Sequence, residues 1–454
     1  MKKRYLDAAA AGCTAVFVKD AEVIPAGTTV HAMSAKHKNS EYQRFAEEYG
    51  IGTAALTGVG VCLPLIMIVS AFAALVGAGG APRAAIAMGQ GNKEKAEQIM
   101  GNCFSVLMIL AVILTGVFYY TCPTLLRWFG ASDATAPYAV EYARIYILGS
   151  VFVLTVMGMN TFITTQGFAK ISMLTTVIGA VINIILDPIL MFGFRLGVKG
   201  AAIATVISQA ISALWILKFL TGKQTILKLR LKNMKLIPSV ILPCLGLGIS
   251  SFIMVSTESI LSISFTTSLA KFGGDVAVGA MTVLTSINQL ITMPLSGICQ
   301  GGQPLIGYNF GARKLDRVRA AFFFQFAVCV AYALGFWLLI QFCPRLLASI
   351  FTNDSALVDY TAWALRIFLA GGFSIGFQIS CQQTFVALGQ AKISLFMACL
   401  RKLILLIPLI FLLPCFLDNQ VLAVFLAEPV SDILAAAVTT GTFFAFFQGL
   451  SREN

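Results

Sequence analysis

Residues 297–319 read GICQGGQPLIGYNFGARKLDRVR: an apolar run that enters Gly301-Gly302 and Pro304, passes Gly311 and ends in a burst of basic residues. The same plan stands 222 positions earlier without a gap, in LVGAGGAPRAAIAMGQGNKEKAE at residues 75–97. There Gly79, Gly80, Pro82 and Gly89 fall on Gly301, Gly302, Pro304 and Gly311. Four matched backbone-special residues inside two apolar stretches predict an internal duplication. Further pairs keep the register: CPTLL at 122–126 with CPRLL at 343–347, Arg144-Ile145 with Arg366-Ile367, and GFAKIS at 167–172 with GQAKIS at 389–394.

The rest of the chain says where these copies reside. Of its 454 residues, 58% are hydrophobic and 11% charged, and the mean hydropathy is +0.85. That is too apolar for a protein dissolved in water. A bilayer core of ~30 Å needs about 20 apolar residues per helical span, and lipid offers backbone groups no partners, so spans are helices. Eleven apolar stretches qualify, at roughly 53–80, 96–120, 138–165, 172–193, 199–220, 237–270, 276–303, 319–343, 358–387, 394–415 and 420–448. The 14 Pro and 39 Gly residues are no objection, since membrane helices tolerate both.

A net charge of +12 invites a nucleic-acid reading, but the basic residues sit in alternate loops. One set of loops holds only Arg127, Arg195, Lys199, Lys271 and Arg345; the other holds most of the rest. Such a bias fixes orientation, with the basic loops inside. The C-terminus, residues 311–319 and residues 218–235 are expected in the cytoplasm, and no nucleic-acid partner is needed. Equivalent basic loops share one side, so the copies run in the same direction, as parallel repeats about an axis along the membrane normal. The expected fold is an all-α polytopic membrane protein with two pseudo-symmetric helix bundles.

The eleven Cys are scattered through apolar stretches without a C-x-x-C pair and read as small buried hydrophobes. His31 and His37 lie outside every span, which leaves no His-based metal or catalytic site in the membrane. Neither a phosphate-loop motif nor an HExxH signature occurs, so the chain reads as neither an ATP-driven pump nor an enzyme.

The register divides the chain into a polar N-terminal segment, 1–50; a first lobe, 51–221, with five spans; a basic cytoplasmic linker, 222–236; and a second lobe, 237–454, with six. Shifting the span 237–270 back by 222 gives residues 15–48, which are too polar to cross a bilayer. The first helix of the repeat is expected to be missing or replaced, leaving about eleven spans instead of twelve. Lys2-Lys3-Arg4 before an Ala-rich run loosely resembles a signal peptide, but Asp7 interrupts the run and Lys19 ends it.

Ionisable groups inside spans are costly and are functional candidates by default. Glu258 lies deep in 237–270, with Ser251, Met254, Val255, Ser262 and Phe265 at helical spacing around it. That stripe suits a wet cavity, where a carboxylate could exchange a proton for a cation; a hydrogen-bond hub is the other reading. In NIILDP, Asn183 and Asp187 are i, i+4, and Pro188 leaves the Ile184 carbonyl without its helical partner. A carboxylate, an amide and a free carbonyl on one face could hold Na⁺ or a proton; a kinked helix end is the alternative. Glu428 and Asp432 repeat the i, i+4 spacing beside Pro429, and Arg366, Arg401 and Lys402 could neutralise them in an intramembrane charge network. Met157, Met254, Met281 and Met293, with Gln289 and Gln378, are candidates to line a substrate cavity, because Met adapts to varied ligands. Gly79, Gly80, Pro82, Gly301, Gly302 and Pro304 read as close-packing and hinge positions.

These motifs resemble the multidrug and toxic compound extrusion (MATE) family, in its MepA-like branch. The resemblance rests on GTAALTGVG (52–60), MGQGNKEKA (88–96), NTFITTQG (160–167), NIILDPILMF (183–192), GAAIATVISQ (200–209), STESI (256–260), residues 297–321, LRIFLAGGF (365–373), GFQISCQQTF (376–385) and AEPVSD (427–432). It implies twelve helices in two bundles and export of small organic cations or drugs against inward H⁺ or Na⁺, with no cofactor besides that coupling ion. It also implies a cation site on Asn160, Asn183, Asp187 and Thr205, with Glu258 as the acidic residue of the second lobe. The expected setting is a bacterial plasma (inner) membrane, crossed many times by a monomer. A departure stands beside this: the family's first helix carries an acidic partner for the Asp187 position, and that helix is not found. A transport-defective, N-terminally altered chain, or a lipid-linked sugar flippase of the wider superfamily, remain the alternatives.

Overall fold

The computed structural model describes residues 53–351 and 354–452. The expectations placed on residues 1–50, the missing or replaced first helix among them, lie outside these. Among the described residues there is no strand. Helices α1 Thr57–Gly89, α2 Lys93–Trp128, α3 Ala136–Leu148, α4 Ser150–Thr165, α5 Ala169–Gly193 and α6 Gly197–Thr221 come first. After the linker follow α7 Pro238–Gly274, α8 Val276–Gly311, α9 Leu315–Phe342, α10 Pro344–Ser349, α11 Ser355–Phe368, α12 Gly372–Ala387, α13 Ala391–Phe416 and α14 Gln420–Arg452. Nine of the described helices are long and apolar enough to cross a membrane, or eleven when the bent pairs α3+α4 and α11+α12 each count as one span. The all-α, many-span architecture expected from the apolar runs is the one observed.

The duplication is visible in the backbone. The bends of the two pairs, 54° and 49°, fall at Gly149 and Gly371, which are 222 apart and nearly identical in conformation (φ −83, ψ −2 and φ −82, ψ 1). Neither glycine is needed for its dihedrals. A β-carbon on Gly149 would strike the Val206 side chain, and one on Gly371 would meet the Pro429 backbone. Gly167 and Gly389, another equivalent pair, both take positive φ, +87 and +73. Arg313 holds a positive φ of 56 where its counterpart Gly91 has 76. Side-chain contacts repeat as well. Gly80 packs on Cys103, and its counterpart Gly302 packs on Gln325, the counterpart of Cys103.

By contacts the chain forms two compact units. The first comprises the described residues up to Val69, Met108–Val156 and Met173–Leu217. Within it the Cys62 thiol donates to the Ala139 carbonyl at 3.3 Å, Thr115 and Ser150 share a hydroxyl bond of 3.0 Å, and Ser212 donates to the Thr175 carbonyl at 3.3 Å.

The second unit comprises Ser70–Leu107, Met157–Ser172 and the described residues from Lys218 onward. Here α1 crosses α7 and α8 at glycines. A β-carbon on Gly79 would overlap the Cys244 carbonyl oxygen, one on Gly248 the Leu75 carbonyl, and Gly89 and Gly311 stand likewise on Tyr308 and Ile86. Buried Phe322, Phe385 and Phe443 anchor one end of the unit; the Phe443 ring centroid lies 4.4 Å from that of Phe322 and 5.1 Å from that of Phe385.

The linker is strapped to this unit by buried polar groups. Asn102 accepts from the Ile237 amide at 2.7 Å, Glu97 from the Lys228 amide at 3.1 Å, and Ser105 donates to the Met234 carbonyl at 2.6 Å. Gln166 Oε1 accepts from both Thr225 Oγ1 and the Leu227 amide, each at 2.7 Å. Gln166→Ala is expected to leave the buried Leu227 amide unpaired and the Thr225 hydroxyl with one bond fewer, at about 1–3 kcal/mol. Amide exchange at Leu227 should then accelerate about tenfold or more while the spans keep their protection; unchanged exchange would rule this strap out.

Candidate functional site

The first unit carries one polar cluster at the end of α5. Asn183 Nδ2 donates to Asp187 Oδ1 at 3.2 Å, as the i, i+4 spacing requires, and both side chains are half-buried. Pro188 closes the α-helical part of α5, and the backbone continues as a π turn over Ile189–Gly193. Pro188 has no N–H to offer the Ile184 carbonyl, and the backbone widens directly after it. Thr205, on α6, donates to the Ala201 carbonyl at 3.0 Å and meets the hydroxyl of Tyr142 on α3, which also lies within electrostatic reach of Asp187. Tyr142 was not singled out from sequence. Its signal was the YARIY run, which sets Tyr142 and Tyr146 on one face, and their rings stack at 6.3 Å. Asn160 belongs to the second unit, where its amide donates to the Ser172 carbonyl at 3.3 Å while its buried Oδ1 has no partner among the described residues.

The second unit carries a larger ionic cluster, built on a π turn. Residues Leu400–Leu406 of α13 are π-helical, and this turn presents two consecutive cations to two different helices. Arg401 reaches α14, with Nε on Asp432 Oδ1 at 2.7 Å and Nη2 on Glu428 Oε1 at 3.2 Å. Glu428 and Asp432, one turn apart, form the two prongs that a guanidinium fork matches. Lys402 turns the other way, toward α7, and bonds the Glu258 carboxylate and the Met254 carbonyl oxygen, the latter at 2.7 Å. Ser431 locks the turn by donating to the Arg401 carbonyl at 2.9 Å.

Exposure separates the members. The side chains of Arg401, Lys402, Glu428 and Asp432 are 11%, 6%, 6% and 2% exposed, whereas that of Glu258 is 62% exposed. Three carboxylates thus face two cations, one positive charge short of neutrality when all are ionised. The four buried members balance one another, since a buried charge is tolerated only when paired, and the surplus negative charge is that of the exposed Glu258.

Arg366, expected in the same network, stands apart from it. Its Nε donates to the Gln341 carbonyl at 3.2 Å, and Gln341 returns a bond to the Arg366 carbonyl at 3.3 Å. It lines a surface cavity of about 460 Å³ with Arg345, Asp359 and Trp363. The side chain follows the α9–α11 contact rather than the carboxylates of α14.

Of the cavity candidates, Met281 and Gln378 are buried in the packed interior. Met254 is half-buried and accepts from Gln382 Nε2 at 3.2 Å, while Met157, Gln289 and Met293 are exposed. Among the paired glycines, Gly79, Gly80 and Gly302 are close-packed, but nothing lies within 4 Å of a β-carbon on Gly301. Gly301 thus stands in open space, where the other three are crowded.

Comparison with known proteins adds a family. The MatE family model matches residues 44–189 and 249–412. The chain belongs to the MatE family. Such chains are membrane transporters, not enzymes. The multidrug export protein MepA of Staphylococcus saprophyticus is 25% identical over 366 residues, 79% of each chain. A MATE transporter solved in a bent conformation has the same fold, with a TM-score of 0.84 at 23% identity over 89% of this chain and 90% of that one. The MATE multidrug transporter DinF-BH, solved in complex with a ligand, is 30% identical, with a TM-score of 0.80 over 98% of this chain and 96% of the other. The first matched stretch contains Asn183 and Asp187; the second contains Glu258, Arg401 and Lys402, while Glu428 and Asp432 lie beyond it.

Proposed function

We propose that this MatE chain is a secondary antiporter that exports drugs, small organic cations among them, across a bacterial plasma membrane in exchange for inward H⁺ or Na⁺. The carrying observation is the intramembrane cluster of Glu258, Glu428 and Asp432 against Arg401 and Lys402, one positive charge short. Such a cluster takes one proton, one Na⁺ or one organic cation, and mutual exclusion at a shared charge is what exchange requires. The names of the Staphylococcus relatives, and the multidrug transporter DinF-BH with its bound ligand, support drugs as the cargo.

Asp187 with Asn183 forms a second seat for H⁺ or Na⁺ in the first unit, with Thr205 and Tyr142 fixing its surroundings. In the second unit Met157, Met254, Gln289 and Met293 offer an adaptable lining for substrate. The protein works as a monomer with its C-terminus in the cytoplasm and needs no cofactor besides the coupling ion. Exchange of one H⁺ or Na⁺ for one monovalent cation moves no net charge; a second ion carried inward from the Asp187 seat adds one inward charge, which at 100 mV supplies about 2.3 kcal/mol, enough for roughly 50-fold accumulation.

The test is transport of ethidium by the purified full-length protein in proteoliposomes under separately imposed pH and Na⁺ gradients. At least one of the two gradients should drive export, and Glu428→Gln and Asp187→Asn should each cut the driven rate about tenfold or more. Export indifferent to both gradients, or to both substitutions, would reject antiport.

A further inference from the structure

The two cations of the π turn are not equivalent. Arg401 is committed: both of its carboxylates are buried, and its fork meets them through two separate nitrogens. Lys402 is held at one carboxylate and one backbone carbonyl, and that carboxylate belongs to the one exposed member of the cluster. The contact is lopsided, because the ammonium is reached from the packed interior while the carboxylate stands open.

From this lopsided geometry we infer that Lys402 is a tethered stand-in for the cationic substrate. It occupies Glu258 in the resting transporter and is displaced from it when an organic cation arrives. The inference rests on the antiport reading and specifies its substrate site: Glu258 anchors the cation, and Lys402 sets how strongly a cation must bind to take its place.

Charge balance supports the exchange. The displaced ammonium keeps its bond to the Met254 carbonyl and remains within electrostatic reach of Glu428 and Asp432, which share a single guanidinium between them. Three carboxylates would then face Arg401, Lys402 and the substrate, and the cluster would be neutral. A neutral ligand of the same shape completes nothing and has no means of moving Lys402. The site therefore selects monovalent cations over neutral isosteres, and a primary amine on the protein sets the threshold.

The measurement is equilibrium binding of ethidium, a monovalent aromatic cation, to the full-length protein in detergent at fixed pH, read by fluorescence. Lys402→Gln removes the competitor and should tighten ethidium binding about tenfold. Glu258→Gln should weaken it by a similar factor, and the gain from Lys402→Gln should vanish in the Glu258→Gln background. Binding of an uncharged aromatic of similar size should be insensitive to all three changes.

Equal or weaker ethidium binding by Lys402→Gln overturns the inference, as does a gain that survives without Glu258. Lys402→Arg, which keeps the charge, serves where the neutral variant does not fold. Its affinity should match or fall below that of the unaltered protein, and tighter binding would overturn the inference. Proteoliposome export by the unaltered protein judges the antiport reading separately. Gradient-driven export with unchanged Lys402→Gln affinity sinks only the stand-in role, whereas absence of export sinks both.

Discussion

Arg401→Met is expected to unfold the second unit or to prevent its assembly. The Arg401 guanidinium bonds both Glu428 and Asp432, and both are buried. Removing one partner of a buried ion pair costs about 3–5 kcal/mol, because the charge left behind is uncompensated. Here two are left behind. In detergent the variant should lose its monodisperse peak or unfold about ten degrees lower or more; a stability loss of about 1 kcal/mol moves a melting temperature by only a few degrees in a large domain. The triple variant Arg401→Met, Glu428→Gln, Asp432→Asn should recover most of the loss, since neutral side chains of similar shape leave no unpaired charge. An Arg401→Met protein that melts with the unaltered one would show the cluster to be structurally dispensable.

Gly79→Ala should be the second severe change. Its new methyl group would enter the space of the Cys244 carbonyl oxygen, and backbone, unlike a side chain, cannot swing aside. The added volume must part α1 from α7, and overpacking of this kind costs about 1–3 kcal/mol. Gly248→Ala attacks the same crossing from the other helix, at the Leu75 carbonyl. The double variant should therefore cost less than the sum of the two, because neighbouring changes are not additive. Gly301→Ala is the internal control: it is the repeat counterpart of Gly79, yet nothing stands within 4 Å of its β-carbon. Thermal unfolding of the three singles should separate Gly301→Ala, near the unaltered protein, from the other two. Equal behaviour of Gly79→Ala and Gly301→Ala would refute the close crossing.

Those two glycines also show what a linear reading can and cannot reach. The spans and the duplication were legible because apolar run length and Gly/Pro register are local properties of the chain. Gly79 and Gly301 look alike in sequence because they share ancestry; they differ in packing because closeness belongs as much to the partner helix as to the glycine. The ionic candidates behave similarly. Glu258, Glu428, Asp432 and Arg401 could be picked out as charges in apolar surroundings, but which cation serves which acid could not. Arg401 and Lys402 are adjacent, and only the π turn at Leu400–Leu406 decides that one faces α14 and the other α7. Arg366 carries the same charge and was grouped with them, yet its helix aims it at Gln341. Asp187 and Asn183 could be paired from sequence because four residues of helix suffice to bring them together, whereas Tyr142 comes from a different helix.

The matched bends at Gly149 and Gly371 also date the parts of this molecule. A kink with the same dihedrals at the same register in both halves was present before the gene doubled, so the half-length ancestor already carried it. The ionic cluster is not shared in this way. Counted back 222 positions, Arg401, Lys402, Glu428 and Asp432 fall on Gly179, Ala180, Val206 and Ala210, and counted forward, Asn183 and Asp187 fall on Leu405 and Leu409. In the first half Gly179 sits against Ser212, where the second half has a guanidinium among carboxylates. The bend is thus common property of the two halves, while the ion chemistry is particular to each.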